Sequence, residues 1–259
     1  NLKEKAGKEA IELFGKNLKE LLQTAPLVNQ IILGIDPGYK TGCKLAVIDE
    51  NGLFLDSGVI YPTKPKEDIL NSSKVVLELI KKHKISTIAI GNGTASRETA
   101  NFIDELLKKE NLDIKYAIVS EIGASVYSAS KIASEEYPNL DVTIRGAISI
   151  AQRLRDPMAA LVKIDPKSLG IGQYQHDVNQ KELTQKLENI TVDLVNKVGV
   201  DLNSASYKLL SFISGVSEKL AQNIVQHREK IKKFSSKKEL LDVKGIGAKA
   251  YEQSVGFLR

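Results

Sequence analysis

Three short β-rich runs joined by tight connections, followed by alternating strand and helix, leave very few ways to build a sheet. Ile31-Ile32-Leu33-Gly34-Ile35 is an apolar run that stops at the turn signal Asp36-Pro37-Gly38. Lys44 to Ile48 is a second run, closed by the hairpin pair Asn51-Gly52, and Leu53 to Ile60 is a third. Strands so connected pair as an antiparallel meander. After Pro65 the period changes: Ile69, Leu70, Val75, Val76, Leu79 and Ile80 predict a helix within Lys66 to His83. Ile85–Ile90 and Ile114–Val119 predict two more strands around a helix from Ser96 to Lys109. Right-handed crossovers of this kind place strands in parallel.

Helical patterns over Gly123–Ala133, Val142–Leu154 and Pro157–Val162 complete the order β-β-β-α-β-α-β-α-α. That order predicts an α/β domain of the ribonuclease H-like type, with a mixed five-stranded sheet. An amphipathic helix over residues 2–22 precedes it, and Pro26 stops that helix. From Leu183 onward every period is helical. The expected domains are an N-terminal helix (1–28), the ribonuclease H-like domain (29–164), a connector (165–190) and an all-α domain (191–259). The connector carries Gly170, Gly172 and the string Gln173-Tyr174-Gln175-His176-Asp177.

The last segment contains an internal repeat. Phe212-Ile213-Ser214-Gly215-Val216-Ser217 and Asp242-Val243-Lys244-Gly245-Ile246-Gly247 place Gly215 and Gly245 30 residues apart. Each turn follows leucines (Leu209, Leu210; Leu240, Leu241) and precedes a small-residue helix. These are tandem helix-hairpin-helix motifs. Glycines at such a turn let backbone N–H groups approach one phosphate without reading a base. Val216 and Ile246 anchor the turns in the core, and Lys219 and Lys249 stand where an ammonium meets the same phosphate. Ser217 replaces the second glycine in the first hairpin, which weakens that phosphate site. A small helical bundle that uses glycine only to turn a corner is the plainer reading.

Charge favours the phosphate reading. The chain has 37 Lys+Arg against 32 Asp+Glu, and residues 191–259 hold 12 of those bases against 7 of the acids. The whole excess of +5 therefore lies around the two hairpins, leaving residues 1–190 neutral. A solvated lysine-rich face has the same arithmetic.

Carboxylates form a second constellation. Asp36 ends the first strand, Glu121 follows the fifth, and Asp156 opens a late helix. In a ribonuclease H-like sheet these three can converge as catalytic metal ligands on Mg²⁺, with ions about 3.5–4 Å apart for phosphodiester cleavage. Each has a structural alternative: Asp36 suits a Pro-Gly turn, Glu121 caps a helix, and Asp156-Pro157 is a cap followed by a first-turn proline. Arg153 and Arg155 either meet phosphate beside this site or lie on a solvated helix end.

Several classes are excluded. A single cysteine, Cys43, permits no internal disulfide framework and no Cys-rich zinc site. No apolar run approaches the length of a membrane span. The three histidines have no metal-binding spacing, and Gly91-Asn92-Gly93-Thr94 lacks the Lys-Ser/Thr pair of a phosphate-binding P-loop. No signal peptide is visible, so the cytoplasm is expected. The opening on Asn1, without Met, reads as a fragment.

An ordered series of motifs now resembles one family from end to end. Ile35-Asp36-Pro37-Gly38 with Lys40-Thr41-Gly42 is the first, and Ile90-Gly91-Asn92-Gly93-Thr94 the second. Val119-Ser120-Glu121 with Gly123 to Ser128, Arg155-Asp156-Pro157, Gly172 to Val178 and Val200 to Ser206 follow. Together they resemble the Tex family of bacterial transcription accessory proteins, with its YqgF/RuvC-like domain and helix-hairpin-helix repeats. The resemblance implies a cytoplasmic RNA- or DNA-binding factor in contact with the transcription machinery, with no membrane role. It implies an OB-fold RNA-binding domain beyond this chain, and no cofactor for binding. Asp36, Glu121 and Asp156 match the YqgF/RuvC-like carboxylate pattern, but Asn92 stands where junction-resolving relatives carry an acid. Two readings follow: a nucleic-acid-binding scaffold whose carboxylates are residual, or a Mg²⁺-dependent structure-specific endonuclease.

Overall fold

A computed structural model describes residues 2–259. It divides into two compact units, residues 25–160 and residues 2–24 with 161–259. The first unit is built on β1 (Ile32–Asp36), β2 (Cys43–Ile48), β3 (Phe54–Ile60), β4 (Thr87–Gly91) and β5 (Lys115–Val119). Their order is β3-β2-β1-β4-β5. The β1–β2 and β2–β3 pairs are antiparallel, whereas β1–β4 and β4–β5 are parallel. This is the ribonuclease H-like topology expected from the sequence.

Both faces of the sheet are covered, so β1 and β4 read as continuous apolar runs. Alternation along β1 sends Leu33 and Ile35 to one face, with α2 (Ile69–His83) and α3 (Ser96–Lys109). Ile32 faces the other way, onto Ala147, Ile148, Ile150 and Ala151 of α6 (Val142–Arg155). Small residues let α6 lie directly on the strands. A Cβ at Gly34 would overlap the Ala147 carbonyl oxygen, so the helix backbone touches the sheet there.

Some element limits differ from the sequence expectation. Helix α2 begins at Ile69 because Asp68 caps it, its side chain accepting from the Asn71 N–H. The helical stretch after β5 is two pieces, α4 (Ala124–Ser128) and α5 (Lys131–Glu136), and Ser130 caps the second.

In the second unit, α1 (Leu2–Leu22) packs on α8 (Gln180–Val198). Gly15 permits the approach, since a Cβ there would fall 2.6 Å from Ile190 Cδ1. Lys186 Nζ pairs with Glu12 at 2.7 Å across the same contact. Short 3-10 turns at Pro166–Ser168 and Gln175–Asp177 occupy the segment before α8. The hairpins follow: α9 (Tyr207–Leu210) and α10 (Glu218–Ile231), then a 3-10 helix (Lys237–Asp242) and α11 (Ala248–Ser254). Val200 and Leu258 form an isolated parallel bridge that ties the chain end to the segment before α9. Among the described residues, no helix is long and apolar enough to cross a membrane.

Candidate nucleic-acid interface and carboxylate cluster

The two hairpin turns repeat in three dimensions as they do in sequence. Ile213 and Val216 are buried around exposed Ser214 and Gly215, and Val243 and Ile246 are buried around exposed Lys244 and Gly245. The next three residues, Ser217-Glu218-Lys219 and Gly247-Ala248-Lys249, are exposed in both copies. Gly215 and Gly245 have φ of 82° and 91°, the left-handed region that favours glycine.

Each turn leans on the other hairpin. A Cβ at Gly215 would lie 2.7 Å from Gln253 Cβ on α11, and one at Gly245 would lie 3.0 Å from Leu220 Cδ2 on α10. Asn223 of α10 donates to the Lys244 carbonyl at 2.8 Å. The first turn is also braced from α8, where Asn196 donates to the Phe212 carbonyl and accepts from the Ser214 N–H. Gly215 and Gly245 are thus required by the packing. Gly247 is different: its φ is −99° and nothing lies within 4 Å of a Cβ built there. Its openness leaves room for an approaching group.

The hairpins are unequal. Ser217 caps α10 by accepting from the Leu220 N–H, and Glu218 places a carboxylate in that first turn. Gly247 offers α11 no side-chain cap, so its first-turn amides have no side-chain acceptor, and Lys249 stands exposed beside them. The first turn of α10 thus carries an acid that opposes a nearby anion, and the first turn of α11 carries none. Arg228 is withdrawn from the basic surface: it donates to the carbonyls of Leu202 and Ala205, and burial lowers its pKa.

The carboxylates divide as well. Asp36 falls on the α6 face of β1 by alternation, and a Cβ at Gly146 would lie 2.9 Å from its Oδ2. Glu121 reaches the same end of the sheet from the loop after β5. Its N–H donates to Asn92 Oδ1 at 3.0 Å, and its carboxylate covers Gly91 and Gly93. Burial first, then the nearby Glu121 charge, push the Asp36 pKa up to about 6, against the opposing pull of Lys44.

Asp156 lies elsewhere. It sits at the far end of α6, ten residues beyond Gly146, which is about 15 Å along the helix axis. There it accepts from the Ala159 N–H at 3.0 Å and caps the following helix, α7 (Pro157–Leu161). The expected convergence of Asp36, Glu121 and Asp156 therefore fails at Asp156, because α6 carries it away from the carboxyl ends of the strands. Among the described residues, no group of three or more His, Cys, Asp or Glu side chains is arranged to hold a metal ion. The three-carboxylate Mg²⁺ site does not fit this geometry.

The arginines also separate. Arg155 donates to the Glu50 carbonyl at 2.9 Å, near the β2–β3 hairpin. Arg153 is only 6% exposed and donates through Nη1 to the Ser120 carbonyl at 2.8 Å. Burial lowers its pKa to about 10, and the nearby Glu121 charge opposes that fall. A buried guanidinium thus feels the charge of Glu121, the carboxylate that a metal would have needed. Sequence reasoning missed a further acid, Asp141, which caps α6 by accepting from the Thr143 N–H. The available signal was an Asp two residues before a Thr at a helix start. Lys44 acts electrostatically on both Asp36 and Asp141.

Two families match the chain. The Tex protein YqgF-like domain covers residues 30–155, and the helix-hairpin-helix motif covers residues 195–259. Over all 259 residues the chain is 50% identical to Protein tex of Bordetella pertussis and 51% identical to the Transcriptional accessory protein Tex of Neisseria gonorrhoeae. It spans 33% and 34% of those relatives' lengths. A solved structure of Thermus thermophilus RuvC aligns with 47% of this chain and 90% of its own, at 17% identity and a TM-score of 0.34.

Proposed function

This chain belongs to the Tex family, and on that premise we propose that it grips the sugar-phosphate backbone of RNA or DNA through its paired hairpins, as a cytoplasmic transcription accessory factor. The observation that carries this reading is the second turn, where Gly247 is open to approach, the first-turn amides of α11 lack a side-chain cap and Lys249 is exposed. Gly215, Val216, Ser217 and Lys219 repeat the arrangement in a weaker form. The local charge excess of the C-terminal segment supports polyanion binding, and phosphate contacts of this kind carry no base sequence. The names of the relatives support the transcription role, with the polymerase machinery as the proposed partner.

Phosphodiester cleavage is not the favoured reading. Asp156 is spent on a helix cap, Asn92 is engaged by the Glu121 backbone, and Arg153 supplies positive charge beside Glu121. The ribonuclease H-like unit then serves as a platform that needs no metal for binding. Filter binding of unrelated RNA and DNA sequences over a salt series tests the proposal. Similar affinities with a negative log–log salt slope support it. Absent binding at low salt, or Mg²⁺-dependent cleavage of branched substrates lost in Asp36→Asn, overturns it.

A further inference from the structure

The two edges of the sheet, β3 and β5, are finished differently. At β3 the Asp56 carboxylate turns back on its own strand, Oδ1 accepting from the Ser57 N–H at 2.9 Å. Its Oδ2 accepts from Lys82 Nζ at 2.7 Å and pairs with His83 Nε2 at 2.9 Å. Such a cluster opposes strand pairing, because it occupies an edge donor and concentrates charge there. β5 carries no counterpart. Among the described residues, its backbone has no hydrogen-bond partner beyond β4 and the adjoining Asn92 N–H, which donates to the Val119 carbonyl.

A cleft lies beside that open edge. Register pairs Tyr116 with Ile88 and Ile118 with Ile90, so both side chains fall on the face that α3 covers. Helix α3 buries Phe102, Ile103, Leu106 and Leu107 in that core, yet leaves Tyr116 38% and Ile118 51% exposed. With Ala95, Arg97, Ala100 and Asn101 of the α3 segment they line a cleft of about 550 Å³.

The chemistry of edge and cleft selects the occupant. Unpaired donors and acceptors spaced along a strand match another extended peptide backbone, whose alternate side chains would enter the cleft. A sugar-phosphate backbone has no amide N–H to complete such an edge. Charge narrows the choice further. Arg97 in the cleft and Lys115 at the start of β5 are exposed and make no ion pair among the described residues. Glu98, the acid of the cleft, is already engaged, accepting from the Tyr39 hydroxyl at 2.9 Å. The cations left over are complementary to an acidic segment.

We propose that the β5 edge and its cleft dock an extended acidic segment of a protein partner. The segment adds as a further strand, with alternate apolar side chains against Tyr116 and Ile118. This surface lies wholly within the unit of residues 25–160 and stands apart from the phosphate contacts of the hairpins.

The probe is a peptide of about nine residues, an ordinary strand length, with alternating valine and threonine between paired aspartates. Hydrogen exchange followed by NMR should show amides of Lys115–Val119 that are open in the free chain slowing when the peptide is added. Arg97→Glu and Ile118→Asp, both at exposed positions, should each weaken the peptide by about tenfold or more, with the thermal midpoint and nucleic-acid affinity unchanged. A lysine-flanked version should bind correspondingly worse, and a version N-methylated throughout its core should not bind. Unslowed β5 amides, equal binding of either control peptide, or parental peptide affinity in either variant overturns the proposal. Dimerisation of the chain that Ile118→Asp abolishes would give the edge to a second copy, and slowing of the same amides by RNA would give it to nucleic acid. Either result also overturns the peptide partner.

Discussion

The Asn223 side-chain amide donates to the Lys244 carbonyl oxygen at 2.8 Å, so the long helix of the first hairpin holds the turn of the second. The reverse contact is Gly215 against Gln253. Each turn is shaped by the opposite hairpin, which explains why the motif occurs as a pair.

Loss of that bond should therefore weaken the second turn more than a surface hydrogen bond would suggest. Asn223→Ala is expected to cost about 0.5–1.5 kcal/mol in urea unfolding and to lower nucleic-acid affinity in the same variant. Full retention of affinity would separate the turn's geometry from binding.

Ser217 reports on the first hairpin. Ser217→Ala removes the cap acceptor and should destabilise by about 1 kcal/mol, whereas Ser217→Gly should cost only a few tenths. The glycine variant also frees amides for phosphate, so filter binding should show tighter association than the parent.

Asp36 makes stability depend on pH. Its pKa is raised to about 6 in the folded state, so between its ordinary value near 3.8 and 6 the folded chain holds more of this proton than the unfolded chain. Stability contributed by the protonated form is full below pH 4 and falls as pH rises through 6. Asp36→Asn should therefore raise the thermal midpoint at pH 7.5, by the equivalent of about 1–3 kcal/mol, and lose that advantage at pH 4. An equal effect at both pH values would contradict the assignment to burial and Glu121.

Asp156 is a cap, and its substitution should behave as one. Asp156→Ala is expected to cost about 1 kcal/mol, Asp156→Asn much less, and neither should alter nucleic-acid affinity. Weakened binding at unchanged stability would return Asp156 to the functional surface.

The strand order was legible because β1 and β4 are continuous apolar runs, and the hairpins because Gly215 and Gly245 need a backbone other residues resist. Asp156 stayed open between cap and metal ligand because the two share the same residue type, and the structure makes it the cap. Only the direction of α6 across the sheet separates them, and periodicity does not contain that direction. Arg153 was hidden for a related reason: its burial depends on β5 and its loop, more than 30 residues earlier in the chain.

The most direct measurement compares the parent with Gly247→Val/Lys249→Ala over a salt series, using single-stranded RNA and duplex DNA. Open space around Gly247 lets the valine be accommodated at the expense of a poorer cap, about 1 kcal/mol, so the fold should persist. A drop of about tenfold or more is expected for both nucleic acids, with a log–log slope shallower by about 1. Parental affinity and slope in a folded double variant would contradict it.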